Sequence, residues 1–257
     1  MNKMGFRIKW LGCAGYEMDF NGFTVVNDPW VTDNPKTDLD WEIIENCDII
    51  TLTHTHYDHI TDIPKLLEKF DPKILTGELT AISMLKWTNM CPMKMYPLAP
   101  NIELDFDAVK IKTLFGTHTM LGATMSAVKE RLMNNPTVAS GEIMQELNMI
   151  GSIEYRNFLF TTPNGTRILI WGNELTPEQK NIIRAEKPDV AILQMTKNSP
   201  AETADLCVEI GSKVVIASHI DCPKDYMHFA VELGEEFKKR NADVNYIIPE
   251  YGKWMEL

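Results

Sequence analysis

Three of the six histidines in this 257-residue chain stand within one short segment, Thr53-His54-Thr55-His56-Tyr57-Asp58-His59. Neutral imidazole offers a nitrogen lone pair near physiological pH and is the commonest metal ligand in proteins. Alternate residues of an extended backbone face the same side, so the His-x-His spacing brings two rings toward one ion. A polar surface turn would instead use Gly, Asn, Pro or Ser. The segment therefore indicates a metal site.

Two predicted elements flank this segment. The apolar residues at 48–52 predict a strand, and Pro64 begins a predicted helix that continues to Phe70. Loops at the carboxyl ends of strands are where α/β proteins build their sites, because a rigid sheet aims the side chains that the loops carry. We therefore expect the histidine segment on a strand-to-helix loop.

The rest of the chain alternates between short apolar runs and amphipathic segments, which is typical of an α/β protein. Strands are predicted at 7–11, 16–20, 23–26, 73–75, 109–111, 158–160, 167–171, 190–193 and 213–217, and helices at 81–87, from Thr176, from Ser199 and at 226–240. Asn-Gly pairs at 21–22 and 164–165 predict hairpins. The two halves resemble each other weakly, so we predict two packed sheets with helices outside, a four-layer α/β/β/α sandwich.

Length and composition predict one domain over residues 1–257, with a helical, methionine-rich insertion at about 119–152. The insertion has five methionines and two predicted helices, at 126–133 and 142–149. Methionine at helical spacing favours core packing over a lid. We find no apolar signal core and no run of about 18 apolar residues, so we expect a cytoplasmic protein without a membrane partner. The net charge of −11 argues against nucleic acid as a partner.

The segment His54–His59 resembles the His-x-His-x-Asp-His motif of the metallo-β-lactamase superfamily. The opening at 8–16, together with 25–30, is similar to the branch that includes ascorbate-6-phosphate lactonase. The resemblance implies the metallo-β-lactamase fold and two metal sites. It assigns the first metal to His54, His56 and His118 and the second to Asp58, His59 and His219.

One position departs from that family's pattern. A strand there ends in Gly-Asp, whose carboxylate bridges the two metals, whereas here the corresponding strand ends in Gly172-Asn173. An amide is neutral and offers only its carbonyl oxygen, so we expect a weaker second metal site. We expect Asn173 near the metal, with Glu174 as a less favoured bridge because neighbouring residues in extended chain face opposite ways.

Two residues near the start of the chain also bear on the site. The family branch often has histidine where this chain has Cys13. A buried spacer is the favoured interpretation of Cys13, although a thiol beside a metal would favour soft ions. Asp28 stands before Pro29 at a strand end, and we expect it to orient a motif histidine from behind the metal. A turn-starting aspartate before proline explains Asp28 nearly as well.

The resemblance implies a metal-dependent hydrolase of a small molecule, such as a lactone or ester, in which a metal-activated water attacks and Asp58 and His56 take part in catalysis. The expected cofactor is a divalent metal, one or two ions per chain, with zinc or manganese preferred and iron also compatible. A phosphodiesterase is the nearest alternative enzyme. A metal-binding protein without turnover is the other alternative, because Asn173 replaces the bridging aspartate. The expected partner is a small-molecule substrate, and a homo-oligomer is left open.

Overall fold

Two mixed β-sheets dominate the computed structural model, which describes residues 5–118, 141–196, 198–221 and 225–257. The first contains β1 (Arg7–Gly12), β2 (Gly15–Phe20), β3 (Phe23–Asn27), β4 (Ile49–Thr51), β5 (Lys73–Thr76), β6 (Met95–Pro97) and β14 (Trp254–Glu256), in the order β14-β1-β2-β3-β4-β5-β6. The second contains β7 (Glu103–Asp105), β8 (Lys110–Gly116), β9 (Tyr155–Thr161), β10 (Arg167–Trp171), β11 (Val190–Gln194), β12 (Val214–Ser218) and β13 (Asn245–Ile247), in the order β13-β12-β11-β10-β9-β8-β7.

Seven α-helices lie within the described residues. They are α1 (Tyr57–Ile60), α2 (Ile63–Phe70), α3 (Glu78–Thr88), α4 (Glu142–Gly151), α5 (Pro177–Glu186), α6 (Pro200–Ile210) and α7 (Met227–Lys239). Short 3-10 helices span Trp41–Ile43 and Pro92–Lys94. No helix in these described ranges is both long and apolar enough to cross a membrane.

The central strands are buried on both faces because the two sheets lie between two layers of helices. In β3, Val25 belongs to the core shared with the second sheet, whereas Val26 belongs to the cluster that packs against α1 to α4. Ile49 and Ile50 of β4 divide in the same way. Successive side chains of a strand face opposite sides, so each sheet contacts the other sheet on one face and helices on the other. The predicted α/β/β/α sandwich is confirmed.

The two halves share one topology, as the weak repeat indicated. An antiparallel hairpin, β2-β3, continues into parallel strands β4 and β5, and β9-β10 continues in the same way into β11 and β12. The turn of the first hairpin uses Asn21 and Gly22, both with positive φ, as its Asn-Gly pair predicted. Thr176 caps α5 by accepting a hydrogen bond from the backbone N–H of Gln179, whereas α6 begins at Pro200 without a side-chain bond from Ser199.

The predicted insertion is described only from residue 141 onward. Residues 119–140, which include the predicted helix at 126–133 and three of the five methionines, lie outside the described residues. The second predicted helix is confirmed as α4. Met144 and Leu147 of α4 are buried in the core cluster with α3, while Met149 is partly exposed. Core packing therefore holds for Met144.

Candidate metal centre

The expected site residues all follow the carboxyl ends of strands that run in one direction. Strands β1, β3 and β4 run the same way in the first sheet, as do β8, β10 and β12 in the second. After these six ends come, in chain order, Cys13, Asp28, the segment His54–His59, His118, Asn173 and His219. The sandwich therefore gathers residues more than 200 positions apart at one edge, which is where α/β folds place their sites.

His54, His56 and His118 form a first cluster. Each offers one ring nitrogen, and the three nitrogens lie within 4.8 Å of one another. Their ring centroids are 4.5 Å, 4.6 Å and 5.1 Å apart, and His54 and His118 are buried. Zinc binds imidazole nitrogen at about 2.0–2.1 Å, so one ion is reached by all three after small adjustments. The donor set and its spacing fit a divalent metal.

Hydrogen bonds select the ring nitrogen that His54 keeps for a ligand. Thr53 donates its hydroxyl proton to Asp28 Oδ2 at 2.6 Å. Thr53 Oγ1 then accepts from His54 Nδ1, 3.0 Å away, because its only proton is already used. Nε2 of His54 therefore carries the lone pair.

His56 is oriented through Nε2, whereas His54 is oriented through Nδ1. Ser152 donates its hydroxyl to the carbonyl of Asn148 at 3.0 Å, and its oxygen lies 2.8 Å from His56 Nε2. Because Ser152 has already donated its one hydroxyl proton, His56 Nε2 is the donor to the Ser152 oxygen. Nδ1 of His56 then keeps the lone pair. Metal-binding histidines commonly donate their second nitrogen to a protein oxygen in this way, which fixes the tautomer and the ring orientation.

Asp58, His59 and His219 form a second cluster, which also contains Cys13. One donor atom from each of the four residues lies within 4.8 Å of the others, and all four residues are buried. Cys13 Sγ is 3.3 Å from His219 Nε2 and 3.8 Å from Asp58 Oδ2. The His54 and His59 ring centroids are only 4.0 Å apart, so the two clusters are adjacent. Nitrogen, carboxylate and sulfur donors in this number also fit a divalent metal.

Asp28 lies behind both clusters. Its Oδ2 is 2.9 Å from His59 Nδ1, and the same oxygen accepts the Thr53 hydroxyl that holds His54. Its Oδ1 accepts the Thr53 backbone N–H at 2.8 Å. Asp28 is therefore placed to orient one histidine of each cluster, where the sequence suggested one histidine only.

Three residues of the centre have left-handed backbone conformations. Cys13, Asp28 and His219 have φ of 48°, 45° and 56°. Aspartate and histidine tolerate this region better than most residues, whereas cysteine has no such preference. Strain of this kind costs about 1–3 kcal/mol per residue and persists where surrounding contacts impose it, often at functional sites.

Asp58 is ionised in these surroundings. Burial alone would raise the pKa of its carboxyl, but the neighbouring imidazoles of His59, His219 and His56 outweigh burial and hold the pKa below its usual range. A buried carboxylate beside three imidazoles is suited to holding a dication. The anionic form of Asp58 is therefore favoured at neutral pH.

A profile of the family described as beta-lactamase superfamily domain matches residues 7–219, which contain every candidate residue of the two clusters. The chain belongs to the beta-lactamase superfamily. The family match and the two clusters thus agree on where this superfamily member carries its site.

Individual relatives differ in how much they share with the chain. A metal-dependent hydrolase from Sulfurisphaera tokodaii is 30% identical over 121 residues, which cover 44% of this chain and 51% of that relative, about half its length. Another from Methanobrevibacter smithii is 26% identical over 262 residues, covering 97% of this chain and 96% of the relative.

Solved structures share the fold of this superfamily member at low identity. A metallo hydrolase from Ignicoccus hospitalis superposes with a TM-score of 0.69 at 14% identity, covering 97% of both chains. An isothiocyanate hydrolase from Delia radicum gut bacteria gives a TM-score of 0.68 at 16% identity, covering 98% of both.

Asn173 and Glu174 occupy the place where the superfamily motif has its bridging carboxylate. The Asn173 amide is buried and engaged: Oδ1 accepts from Asn157 Nδ2 and Nδ2 donates to the Thr117 carbonyl, both at 2.5 Å. Glu174 is exposed. Among the described His, Cys, Asp and Glu residues, Glu174 joins neither cluster. Asn173 thus braces the residue before His118, while a ligand role for Asn173 stays a prediction.

Sequence reasoning missed two residues of the centre. Ser152 follows α4 with no motif around it, and Tyr155 begins β9, where its ring stacks on His54 with centroids 4.9 Å apart. Tyr155 needs Gly172 beside it, because a Cβ at that glycine would lie 1.8 Å from the tyrosine oxygen. Burial raises the pKa of Tyr155 far above its usual value, so it stays protonated. No local pattern signals either residue.

A groove of about 600 Å³ adjoins the first cluster through Tyr155, whose ring stacks on His54. It is lined by Thr117, which precedes His118, and by Tyr155, and its mouth carries the exposed apolar side chains of Leu79, Phe115 and Ile153. Exposed large apolar side chains beside a polar centre are typical of a ligand site. The groove therefore offers a surface for the apolar portion of a small molecule next to residues that contact the first cluster.

Proposed function

We propose that the protein hydrolyses an ester or lactone bond in a small, uncharged molecule, with the reaction centre at His54, His56 and His118. Its relatives carry the name metal-dependent hydrolase, and the chain is a metal-dependent hydrolase of the same superfamily. The observation that carries the proposal is the convergence of three ring nitrogens near a groove with exposed apolar side chains.

The trihistidine cluster has the composition of a catalytic metal site. Catalytic zinc sites use three protein ligands and keep a fourth position open, whereas structural sites are closed by four. In the described part of the chain, no further His, Cys, Asp or Glu joins the three histidines. A divalent ion there supplies Lewis acidity and lowers the pKa of a coordinated water from about 15.7 toward 7.

The remaining steps fall to side chains of this chain. Hydrogen bonds to Thr53 and Ser152 hold two of the histidine rings, so these ligands need little reorganisation. Asp58 is anionic and buried beside His59, so it can orient a water or accept its proton. The groove beside Tyr155 would hold the apolar part of the substrate with its carbonyl at the cluster.

Charges in the groove favour an uncharged substrate over a sugar lactone phosphate or a phosphodiester. Among the described lining residues the cation is Arg156, and it is buried and engaged. Its guanidinium donates to Glu154 at 3.0 Å and to the Leu98 carbonyl at 3.1 Å. Glu78 and Glu154 add negative charge to the lining. A phosphate would meet acidic groups and no uncommitted cation among these residues.

The test compares the metal-loaded wild type with His56→Ala on a panel of aryl esters, uncharged lactones, a phosphorylated lactone and a phosphodiester. An isothiocyanate belongs in the panel because a structural neighbour is named for hydrolysing that class. The matched control is His228→Ala, which removes an exposed histidine of α7. We expect ester or lactone turnover in wild type and control, and a loss of more than about 100-fold in His56→Ala, since even outer-shell changes cost 10–100-fold.

Each other result contradicts the proposal in a different way. Turnover retained by His56→Ala would remove the reaction from the trihistidine cluster. Turnover on the phosphodiester alone would make the protein a phosphodiesterase. Bound metal without turnover on any compound would favour a metal-binding protein without hydrolase activity.

A further inference from the structure

We propose that Cys13 is a thiolate ligand of the second metal and replaces the negative charge that the superfamily's bridging aspartate would supply. The inference rests on the proposed metal-dependent function. Cys13 is fully buried, and its sulfur lies 3.3 Å from His219 Nε2 and 3.8 Å from Asp58 Oδ2. With His59, these residues bring four donor atoms within 4.8 Å of one another.

The surrounding backbone holds Cys13 at this position. Its N–H donates to both carboxylate oxygens of Asp221 at 3.1 Å. Its carbonyl accepts from the backbone N–H of His219 at 2.9 Å and from the Trp10 indole at 3.1 Å. Asp221 is itself held by the Tyr251 hydroxyl at 2.8 Å. The turn that carries the thiol is therefore tied directly to His219, a second donor of the same cluster.

The backbone conformation of Cys13 argues against the interpretation that this residue is only a buried spacer. Cys13 has a φ of 48°, where glycine is the residue without steric cost. A residue that only filled this turn would gain nothing from a Cβ in a strained conformation. Strain of this kind at a side chain aimed into a donor cluster is typical of a functional residue.

The Cys13 thiolate would balance part of the positive charge of the second metal ion. Without Cys13, the second cluster would hold a dication with one carboxylate, Asp58, and two neutral imidazoles. The Asn173 amide brings no charge, and its oxygen is already bound to Asn157. When the ion binds, the Cys13 thiol loses its proton to solvent and the sulfur takes up the metal bond. The cluster then supplies two negative charges, which neutralise the dication.

A thiolate also separates the tasks of the two sites. Four protein donors close the second site in the manner of structural zinc centres, whereas the trihistidine site keeps its fourth position open. Soft thiolate donors select zinc and similar ions over manganese and magnesium. The residues of the second site would therefore hold an ion of the zinc type firmly, and hydrolysis would be left to the first site.

Cobalt substitution tests the inference without reference to activity. A thiolate bound to Co²⁺ produces a charge-transfer band in the near ultraviolet, which imidazole and carboxylate ligands do not. We expect the wild type to bind two Co²⁺ ions and to show this band. Cys13→Ser should lose the band and bind the second ion at least 10-fold more weakly, while the visible bands of the trihistidine site persist.

Two further variants serve as controls. Cys13→Gly relieves the left-handed backbone, so it should keep the fold before metal is added, yet lack the band. Cys91→Ser removes an exposed thiol and should keep the band. A band that persists in Cys13→Gly, or two bound ions without a band in the wild type, would overturn the inference alone. A wild type that binds no cobalt would reject the proposed function as well.

Discussion

Asp28 contacts both clusters, one directly through His59 and the other through Thr53 and His54. One of its oxygens serves His59 directly and His54 through Thr53. Carboxylates behind metal-binding histidines fix the tautomer and raise the basicity of the ligand. Asp28 thus connects one histidine of the first cluster to one histidine of the second.

Asp28→Asn should therefore weaken both sites together. An amide at this position keeps the size and tolerates the left-handed backbone, but it carries no charge and can present an N–H to His59. We expect metal affinity to fall about 10–100-fold at each site with the fold retained. Calorimetric titration of the metal-free protein with zinc measures both affinities.

The matched control for this prediction is Asp33→Asn. Asp33 also has a positive φ, 62°, but it is exposed. The control should bind zinc like the wild type. An unchanged affinity in Asp28→Asn would mean that the rings are held by packing alone, without help from the carboxylate.

At the scale of elements, helix α4 positions the histidine segment. Thr55 Oγ1 donates to the Leu147 carbonyl at 2.7 Å, and the Tyr57 N–H donates to Asn148 Oδ1 at 3.0 Å. The helix ends at Gly151, and the backbone of Thr55 and His56 lies next to that glycine. The segment at 141–152, expected from sequence as part of an insertion, is therefore a support of the metal centre.

Gly151→Ala tests this support. A Cβ at Gly151 would lie 2.8 Å from the Thr55 nitrogen and 2.9 Å from the His56 nitrogen, both of them backbone atoms that cannot move separately. We expect a loss of about 1–3 kcal/mol in the free energy of unfolding, as for other overpacked sites, together with weaker metal binding. Urea unfolding and zinc titration measure the two effects.

Gly234→Ala is the control for the helix substitution. Gly234 lies within α7, and its added Cβ would meet only the Tyr246 ring, at 3.1 Å. Metal affinity should stay unchanged in this variant. Equal effects on metal binding from both substitutions would remove α4 from the positioning of the histidines.

At the scale of the whole molecule, a buried ion pair joins the first two strands to the segment at 43–46. Lys9 Nζ and Glu17 Oε2 are 2.7 Å apart, and each side chain is only 1% exposed. Lys9 also donates to the Ile43 carbonyl, and Glu17 accepts from the backbone N–H groups of Glu45 and Asn46. Burial raises the pKa of Glu17, although Lys9 opposes this.

Glu17→Ala should destabilise the protein strongly. The change removes the buried carboxylate beside the Lys9 ammonium and leaves it with the half-exposed Glu45 at 3.1 Å and the Ile43 carbonyl. Breaking a buried pair in this way costs about 3–5 kcal/mol. The control Glu250→Ala breaks an exposed pair with Lys253, which contributes about 0–1 kcal/mol. Urea unfolding of both variants measures the difference. A loss below about 1 kcal/mol for Glu17→Ala would show that the pair does not support the fold.

The sequence predicted most of the sandwich because its central strands and helices carry strong local signals. The strands β6, β7, β13 and β14 were missed, since each has three residues and too little pattern to detect. These strands form because neighbouring strands offer hydrogen bonds to them. The local sequence pattern does not show that pairing. The residues at 119–140 of the predicted insertion lie outside the described structure.

The candidate site also combines residues that the local sequence predicted with residues that only the fold brings together. His54, His56, Asp58 and His59 were found because they lie within six consecutive positions. Cys13 meets Asp58 and His219 across 45 and 206 positions of sequence, so its place in the cluster depends on the packing of both sheets. The resemblance to a known family supplied His118 and His219, while the partners of Asn173 required tertiary structure.

The most direct test of two adjacent metal sites is an anomalous-difference map of crystals grown with zinc, recorded at the zinc absorption edge. We expect two peaks. One should lie within about 2.3 Å of donor atoms from His54, His56 and His118, and the other within that distance of Cys13, Asp58, His59 and His219. A map without a peak at the trihistidine cluster, or with its second peak bound by Asn173 or Glu174 in place of Cys13, would contradict this arrangement.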